Sequence, residues 1–444
     1  MTKGRSPKCP HCQRPTGNEV LGAVRWLPRA VQTALDGSAC PVCAQRTLHG
    51  WLVARAEMGG PHGAHLFDHH RLLPFSVFPV PYLIGMNSTF QGRGVTMALI
   101  DSGFFPHPDV VGDSANSTQT ACRVRLRAWA DASVPRVRFG FFHPLTPPRW
   151  PGWSRRAAEQ WHGTMTAGVA AGTGSLSHGW FRGVASACDL VFVQTWADGR
   201  ITNASLTRAL HWLLRHRQRL RLRVVNISVY GDPVKRLRGN RVDAAVQRLV
   251  DDGVVVIVAA GNSGRPELLP PATAAAAITV GGFDPQNSPD PVAWRLWHSD
   301  WGTSSRGTPK PDLLAPANWL PAPILPGSPL ADEAMHLFDQ RATGDPSVES
   351  RIAQQKLIAP HYQHVDGTSF AAAIVAGTVA CMLEAHPDLT PEAVRGILRD
   401  TAQPLPHVPE AKQGAGVIRP MAAIEKARAL HIASLSSASS HEPP

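Results

Sequence analysis

Acidic residues are scarce in this sequence, long apolar stretches are missing, and the first residues carry charge without an apolar core. Asp and Glu number 33 against 44 for Lys and Arg, a net charge of +11 over 444 residues. That imbalance favours acidic partners, whether nucleic acid, anionic lipid or acidic protein. The basic residues are dispersed, however, with one denser run between residues 208 and 223, and a soluble basic enzyme accounts for them better. Residues 1–9 lack the apolar segment of a secretory signal. No apolar run approaches the ~20 residues that span a bilayer. A cytoplasmic setting without membrane association is therefore expected. Cysteine is sparse as well, and seven cysteines in a reducing compartment point to metal or free thiols before disulfides.

What is present begins with two knuckles, Cys9-Pro10-His11-Cys12 and Cys40-Pro41-Val42-Cys43. Each can place two thiolates on one tetrahedral ion, and together they complete a four-sulfur site for structural zinc. Residues 13–39, 27 in all, separate them, more than the ~15–20 of the usual pattern. A redox role is the rival, but no strand-helix unit of the thioredoxin type surrounds either pair. His11 stands beside the sulfurs, as a bystander before a ligand. Residues 56–91 read as a connector. The histidines 62, 65, 69 and 70 cluster there among glycines and prolines, which suits a solvated linker better than a second metal site.

From Gly92 the character changes. The apolar run 94–100 ends in Asp101-Ser102-Gly103, as a strand of a parallel sheet buried on both faces would. Ligand and catalytic groups of open α/β sheets gather beyond such strand ends. On its own, Asp101 is equally a turn aspartate. His162-Gly163-Thr164 opens a small-residue helix, with Gly163 allowing another backbone to pass close. Strands at 190–194, 224–230, 254–260 and 278–281 alternate with helices at 204–216 and 241–251, which predicts a mainly parallel sheet covered on both faces. The strand 254–260 runs into Gly261-Asn262-Ser263-Gly264, either an ordinary turn or a side-chain amide aimed into a cleft. Residues 113–156 read as loops around a strand near 124, and 320–360 as a surface insertion. The amphipathic segment 387–399 is a helix, and the Ser-rich end from 432 is disordered. Asp366-Gly367-Thr368-Ser369 delivers one serine to the start of an uncharged Ala-, Ile- and Val-rich helix, near the positive end of its dipole. That segment alone is also a common N-cap.

The ordered set Asp101, His162, Asn262 and Ser369, with these flanks, resembles the subtilisin-like serine peptidases, the subtilases. The weaker matches Gly183-Val184-Ala185, Asn226-Ile227-Ser228 and Lys310-Pro311-Asp312 before Ala315-Pro316 agree with it. The resemblance spans about residues 92–429. It implies a subtilisin-like α/β fold: a mainly parallel sheet with helices on both faces, to which the chain adds a small N-terminal four-cysteine zinc-binding module. It implies that Ser369 attacks a peptide carbonyl, His162 relays the proton, Asp101 orients the imidazole and Asn262 donates to the oxyanion. A polypeptide substrate would bind as an added strand along Ser228, Val229, Tyr230 and Gly231, with Ala259, Ala260 and Gly261 lining the primary pocket. Calcium is carried by many relatives, but no oxygen-rich ligand loop stands out here. Three features depart from the usual pattern: Met165 replaces a second histidine, Ser-Phe-Ala-Ala-Ala-Ile replaces Ser-Met-Ala-Ser-Pro-His, and Ser186 replaces proline.

The expected organisation is a zinc-ribbon-like module at 1–55, a linker at 56–91, a peptidase domain at 92–430 and a disordered tail at 431–444. A zinc module where secreted relatives carry an inhibitory propeptide implies an intracellular peptidase targeted or controlled through it. The competing expectation is a binding protein, whose zinc module and basic surface recognise nucleic acid or an acidic partner around a peptidase scaffold.

Overall fold

The computed structural model describes residues 77–87, 89–112, 125–142, 157–177, 179–197, 199–234, 239–288, 290–341 and 345–439. The four knuckle cysteines and the histidine cluster lie outside these residues.

Strand β1 (Thr96–Asp101) is buried along its whole length. After it come β2 (Leu126–Asp131), β3 (Arg138–Phe141), α1 (Ala157–Ala171), β4 (Asp189–Gln194), α2 (Asn203–Leu220) and β5 (Leu222–Ile227). The chain continues with α3 (Arg241–Asp251), β6 (Val255–Ala259), β7 (Ile278–Asp284), β8 (Arg295–Leu296) and β9 (Leu313–Pro316). The order across the nine-stranded sheet is β8-β7-β6-β5-β1-β4-β2-β3, with β9 also paired to β7. From β7 to β2 every neighbouring pair is parallel, and antiparallel pairing is confined to β3 on β2 and β8 on β7. The sheet is thus mixed and mostly parallel.

The uninterrupted apolar runs follow from burial on both faces. Met97 and Leu99 of β1 join Val255 and Ile257 of β6 in one cluster, under α1 and the long helix that carries Ser369. Ala98 and Ile100 join Val256 and Val258 in the other, under Leu206, Leu210 and Trp212 of α2 and Val242 and Val246 of α3. Side chains alternate along a strand, so both sets must be apolar for the sheet to be covered on both sides.

The longer elements that follow are β10 (Leu320–Pro323), α4 (Pro329–Gln340), α5 (Pro346–Gln354), β11 (Leu357–Ala359), β12 (Tyr362–Val365), α6 (Thr368–Ala385), α7 (Pro391–Thr401) and α8 (Pro420–Ser439). With 18 residues and a mean hydropathy of 1.6, α6 is long and apolar enough to cross a bilayer, contrary to the expectation of no such run. It is 94% buried inside the fold, as a core helix is.

Three further expectations are corrected. The segment read as the end of a linker is core, since Val77, Phe78, Val80, Tyr82, Leu83 and Met86 are buried. Their prolines mark a tight entry, with Pro81 in the first turn of the short helix Val80–Leu83. The 320–360 segment is no irregular insertion: β10, β11 and β12 form a small sheet, and Ile324, Ala334, Leu337, Val348, Ile352 and Leu357 close a core of their own. The strand expected near 124 is present as β2, from Leu126, and turns into the β2–β3 hairpin. The Ser-rich end continues α8 to Ser439.

The arginines between 208 and 223 are largely engaged within the fold. Arg208 donates to the carbonyls of Ala132 (2.9 Å) and Ser133 (3.0 Å), and Arg223 to Leu389 (2.9 Å). Arg217 pairs with Asp252 at 3.0 Å, and Arg219 lies 3.6 Å above the Phe141 ring. That run therefore serves helix docking more than an open basic surface.

Candidate active site

Three strand ends meet at the carboxyl edge of the sheet. Asp101 is the last residue of β1, Ser228 follows β5, and Asn262 follows β6. In the ladder, Ile100 stands opposite Ile227 and Ile227 opposite Val258, which brings these ends side by side. Because β4 and β5 flank β1 on opposite sides, the chain changes direction across the sheet here, the kind of switch point beyond which open α/β sheets bind ligands.

The histidine arrives on α1. That helix begins at Ala157, so His162 lies in its second turn and does not open it as expected. His162 Nδ1 is 2.7 Å from Asp101 Oδ1. Gly163 permits the approach, since a methyl group there would sit 2.3 Å from the Gly103 carbonyl oxygen and 2.9 Å from Asp101 Cβ. Asp101 is buried and also accepts from the Ser102 N–H at 2.6 Å. The Thr166 hydroxyl, one turn along α1, lies 3.3 Å from Asp101 Oδ2 and 2.6 Å from the His162 carbonyl oxygen. Burial alone pushes the imidazole pKa down, but the charge and hydrogen bond of Asp101 outweigh it and hold His162 above its ordinary 6.5. Trp161 and Phe370 flank the ring, with centroids 5.3 Å and 5.7 Å away.

Ser369 is the second residue of α6, beside the positive end of its dipole. Its hydroxyl donates to the Ser228 carbonyl at 3.0 Å, not to His162. In return the Ser228 hydroxyl donates to the Ser369 carbonyl at 2.8 Å and accepts from Asn226 Nδ2 at 2.9 Å. Ser228 is consequently buried and locks the serine helix to β5.

Asn262 faces the same point. Its Oδ1 accepts from the Thr368 N–H (3.0 Å) and hydroxyl (2.7 Å). A backbone N–H can only donate, so the amide oxygen must face it, which leaves Nδ2 free. A methyl group on Gly367 would sit 3.3 Å from that Nδ2, which places the amide nitrogen over the turn before Ser369. The Ser369 N–H, in the first turn of α6, has no intrahelical acceptor.

Of the residues expected to bind substrate, Val229 is half-buried and Tyr230 is 61% exposed, on a segment outside every strand. Gly231 donates its N–H to Pro270 at 3.2 Å, so that donor is spent inside the fold. The N–H groups of Ala260 and Gly261 are likewise taken, by the Val280 carbonyl (2.9 Å) and the Thr368 hydroxyl (3.1 Å). Ala259, the last residue of β6, is half-buried. Sequence reading missed Thr166, Thr368 as a holder of Asn262, and Asp300. Thr166 had a signal, its spacing of four from His162 on one helix. Asp300 had none. Among the described residues, no group of three or more His, Cys, Asp or Glu could hold a metal ion.

The sheet edge thus gathers a carboxylate on an imidazole, a serine hydroxyl at a helix start and a side-chain amide on a mostly parallel α/β sheet. The Subtilase family model matches residues 92–416, and the chain belongs to that family of subtilisin-like serine peptidases. It is 28% identical over 324 residues to serine protease AprX of Bacillus subtilis, covering 70% of this chain and 62% of that protein. It is 25% identical over 335 residues to subtilisin BL of Lederbergia lenta, covering 75% and 92%. A protease from Pseudoalteromonas arctica shares the fold, with a TM-score of 0.52 and 20% identity over 76% of this chain and 91% of that one. The chain thus spans about three fifths of AprX's length.

Proposed function

We propose that the chain is a serine endopeptidase that cleaves polypeptides through Asp101, His162 and Ser369 with Asn262 in the oxyanion hole. The observation that carries this reading is the 2.7 Å contact of His162 Nδ1 with Asp101 Oδ1 at the sheet edge that also holds Ser369 and Asn262. A hydroxyl is a weak nucleophile at neutral pH and needs an adjacent base. In the reaction the Ser369 hydroxyl must leave the Ser228 carbonyl for the neutral imidazole. The oxygen then attacks the carbonyl carbon while its proton passes to His162. Asp101 holds the Nδ1–H tautomer and stabilises the imidazolium. Charge developing on the carbonyl oxygen is met by Asn262 Nδ2 and the Ser369 N–H. The imidazolium returns its proton to the leaving amine, and water completes hydrolysis of the acyl-enzyme by the same route. Val229 and Tyr230, on a segment outside every strand, would supply backbone groups for an added substrate strand.

The deciding experiment is labelling with a serine-directed fluorophosphonate. Wild-type protein is expected to label and Ser369→Ala not to. Equal labelling of both would sink the assignment. Ser369→Ala should also lower turnover by about 10⁶, a magnitude taken from subtilisin.

The N-terminal cysteines Cys9, Cys12, Cys40 and Cys43 are proposed to hold one structural zinc that targets or regulates an intracellular enzyme. Their paired spacing supports this. Purified protein should contain about one zinc per chain, lost in Cys9→Ser. The binding-protein alternative draws little support from the 208–223 arginines, whose guanidinium groups are mostly engaged within the fold.

A further inference from the structure

We infer that Asp300 is the positioning residue for the Asn262 amide, an inference that rests on the oxyanion role proposed above. Asn262 lies on a loop beyond β6, and loops are the more mobile parts of a fold. Oxyanion stabilisation requires the donor to be held within about 0.5 Å of its working place. The structure provides that restraint from a distant part of the chain.

Asp300 is buried, and among the described residues its hydrogen bonds go to this one loop. Its Oδ1 accepts from the Ser263 N–H at 2.9 Å, the Ser263 hydroxyl at 2.6 Å and the Arg265 N–H at 3.0 Å. Its own N–H donates to the Gly261 carbonyl at 3.0 Å. One residue thereby grips the chain on both sides of Asn262. Three donors converge on a single oxygen, which suits a carboxylate, an acceptor without a proton of its own. Gly261 is the complement: a methyl group there would lie 2.1 Å from Asp300 Oδ2, so the carboxylate can enter only beside a glycine. The neighbouring His298 adds Nδ1 at 3.0 Å from the Asn262 carbonyl oxygen and stacks on Trp297 with centroids 3.8 Å apart. Thr368 then sets the side-chain rotation. Asp300 itself bonds neither to Asp101, nor to His162, nor to Ser369. Its influence on the reaction runs through Asn262.

A double-mutant cycle on the full chain, read as kcat and KM with a peptide substrate, tests this. Asp300→Ala should lower kcat about 10- to 100-fold, the scale of a small misplacement, with KM little changed. Asp300→Asn, which keeps one acceptor oxygen, should retain more activity. In an Asn262→Ala background, Asp300→Ala should change kcat by less than about twofold, because the group it positions is gone. The inference is overturned if Asp300→Ala costs the same factor in both backgrounds, as a general loss of structure would, or costs nothing in either. If Asp300→Ala does not fold, Ser263→Ala, which removes one of the three donors, goes through the same cycle. An Asn262→Ala variant with full kcat would instead strike at the oxyanion reading.

Discussion

Gly163 and Gly103 approach so closely that a methyl group on Gly163 would sit 2.3 Å from the Gly103 carbonyl oxygen. This contact between α1 and the end of β1 sets the spacing of His162 and Asp101. Gly163→Ala should force the helix outward and cut kcat/KM by about 10²-fold, the scale expected of a 1 Å misplacement. Steady-state kinetics on folded protein would test it, and unchanged kcat/KM would show that the contact does not govern the pair.

His162 must be neutral to accept the serine proton, and its pKa is raised above 6.5 by Asp101 against the lowering effect of burial. Activity should therefore fall with acid along a limb whose midpoint lies above 6.5 in kcat/KM profiles of the free enzyme. The same shift acts oppositely on stability. A folded pKa above the unfolded one stabilises the fold below the unfolded pKa, and that contribution is lost as pH rises through the folded value. Asp101→Asn should move the acidic limb down while lowering kcat. An acidic midpoint at or below 6.5 in the wild type would contradict the arrangement.

Asn262→Ala should lower kcat by about 10²–10³ with KM nearly constant, a magnitude taken from loss of the oxyanion asparagine in subtilisin. A rise in KM at unchanged kcat would assign the amide to ground-state binding instead.

Gly396 lies inside α7 with no atom within 4 Å of where a methyl group would point. Replacing it with alanine should stabilise the protein by about 0.5–1 kcal/mol, through the entropy that glycine loses in a helix. Denaturant unfolding measures this, with catalysis expected to stay as it was. A loss of stability would reveal a neighbour the open surface does not show.

Much of the framework was legible before any coordinates. Met97, Ala98, Leu99 and Ile100, just before Asp101, are all apolar because both faces of β1 are covered, so burial wrote itself into composition. Gly163 was readable as a close approach, since only glycine lacks the methyl group that would collide there. Spacing located helix 241–251 to the residue, its start marked by Asn240, whose side chain accepts from the Asp243 N–H. Polar composition misled where it stood for local mixture and not for exposure. The prolines near Phe78 and Tyr82 suggested a linker, although the apolar residues between them belong to the core. The 320–360 stretch lacked one clear period because two short helices and two strands share it.

The order of Asp101, His162, Asn262 and Ser369, and the kind of element bearing each, lay in the sequence by itself, because local propensity and two-sided burial act within a few neighbouring residues. Only the tertiary structure decided that the Ser369 hydroxyl rests on the Ser228 carbonyl, that Thr368 turns the Asn262 amide, and that Asp300 grips the loop on either side of it. Those contacts join residues far apart along the chain, and no periodicity or spacing encodes a partner that folding alone brings within 3 Å.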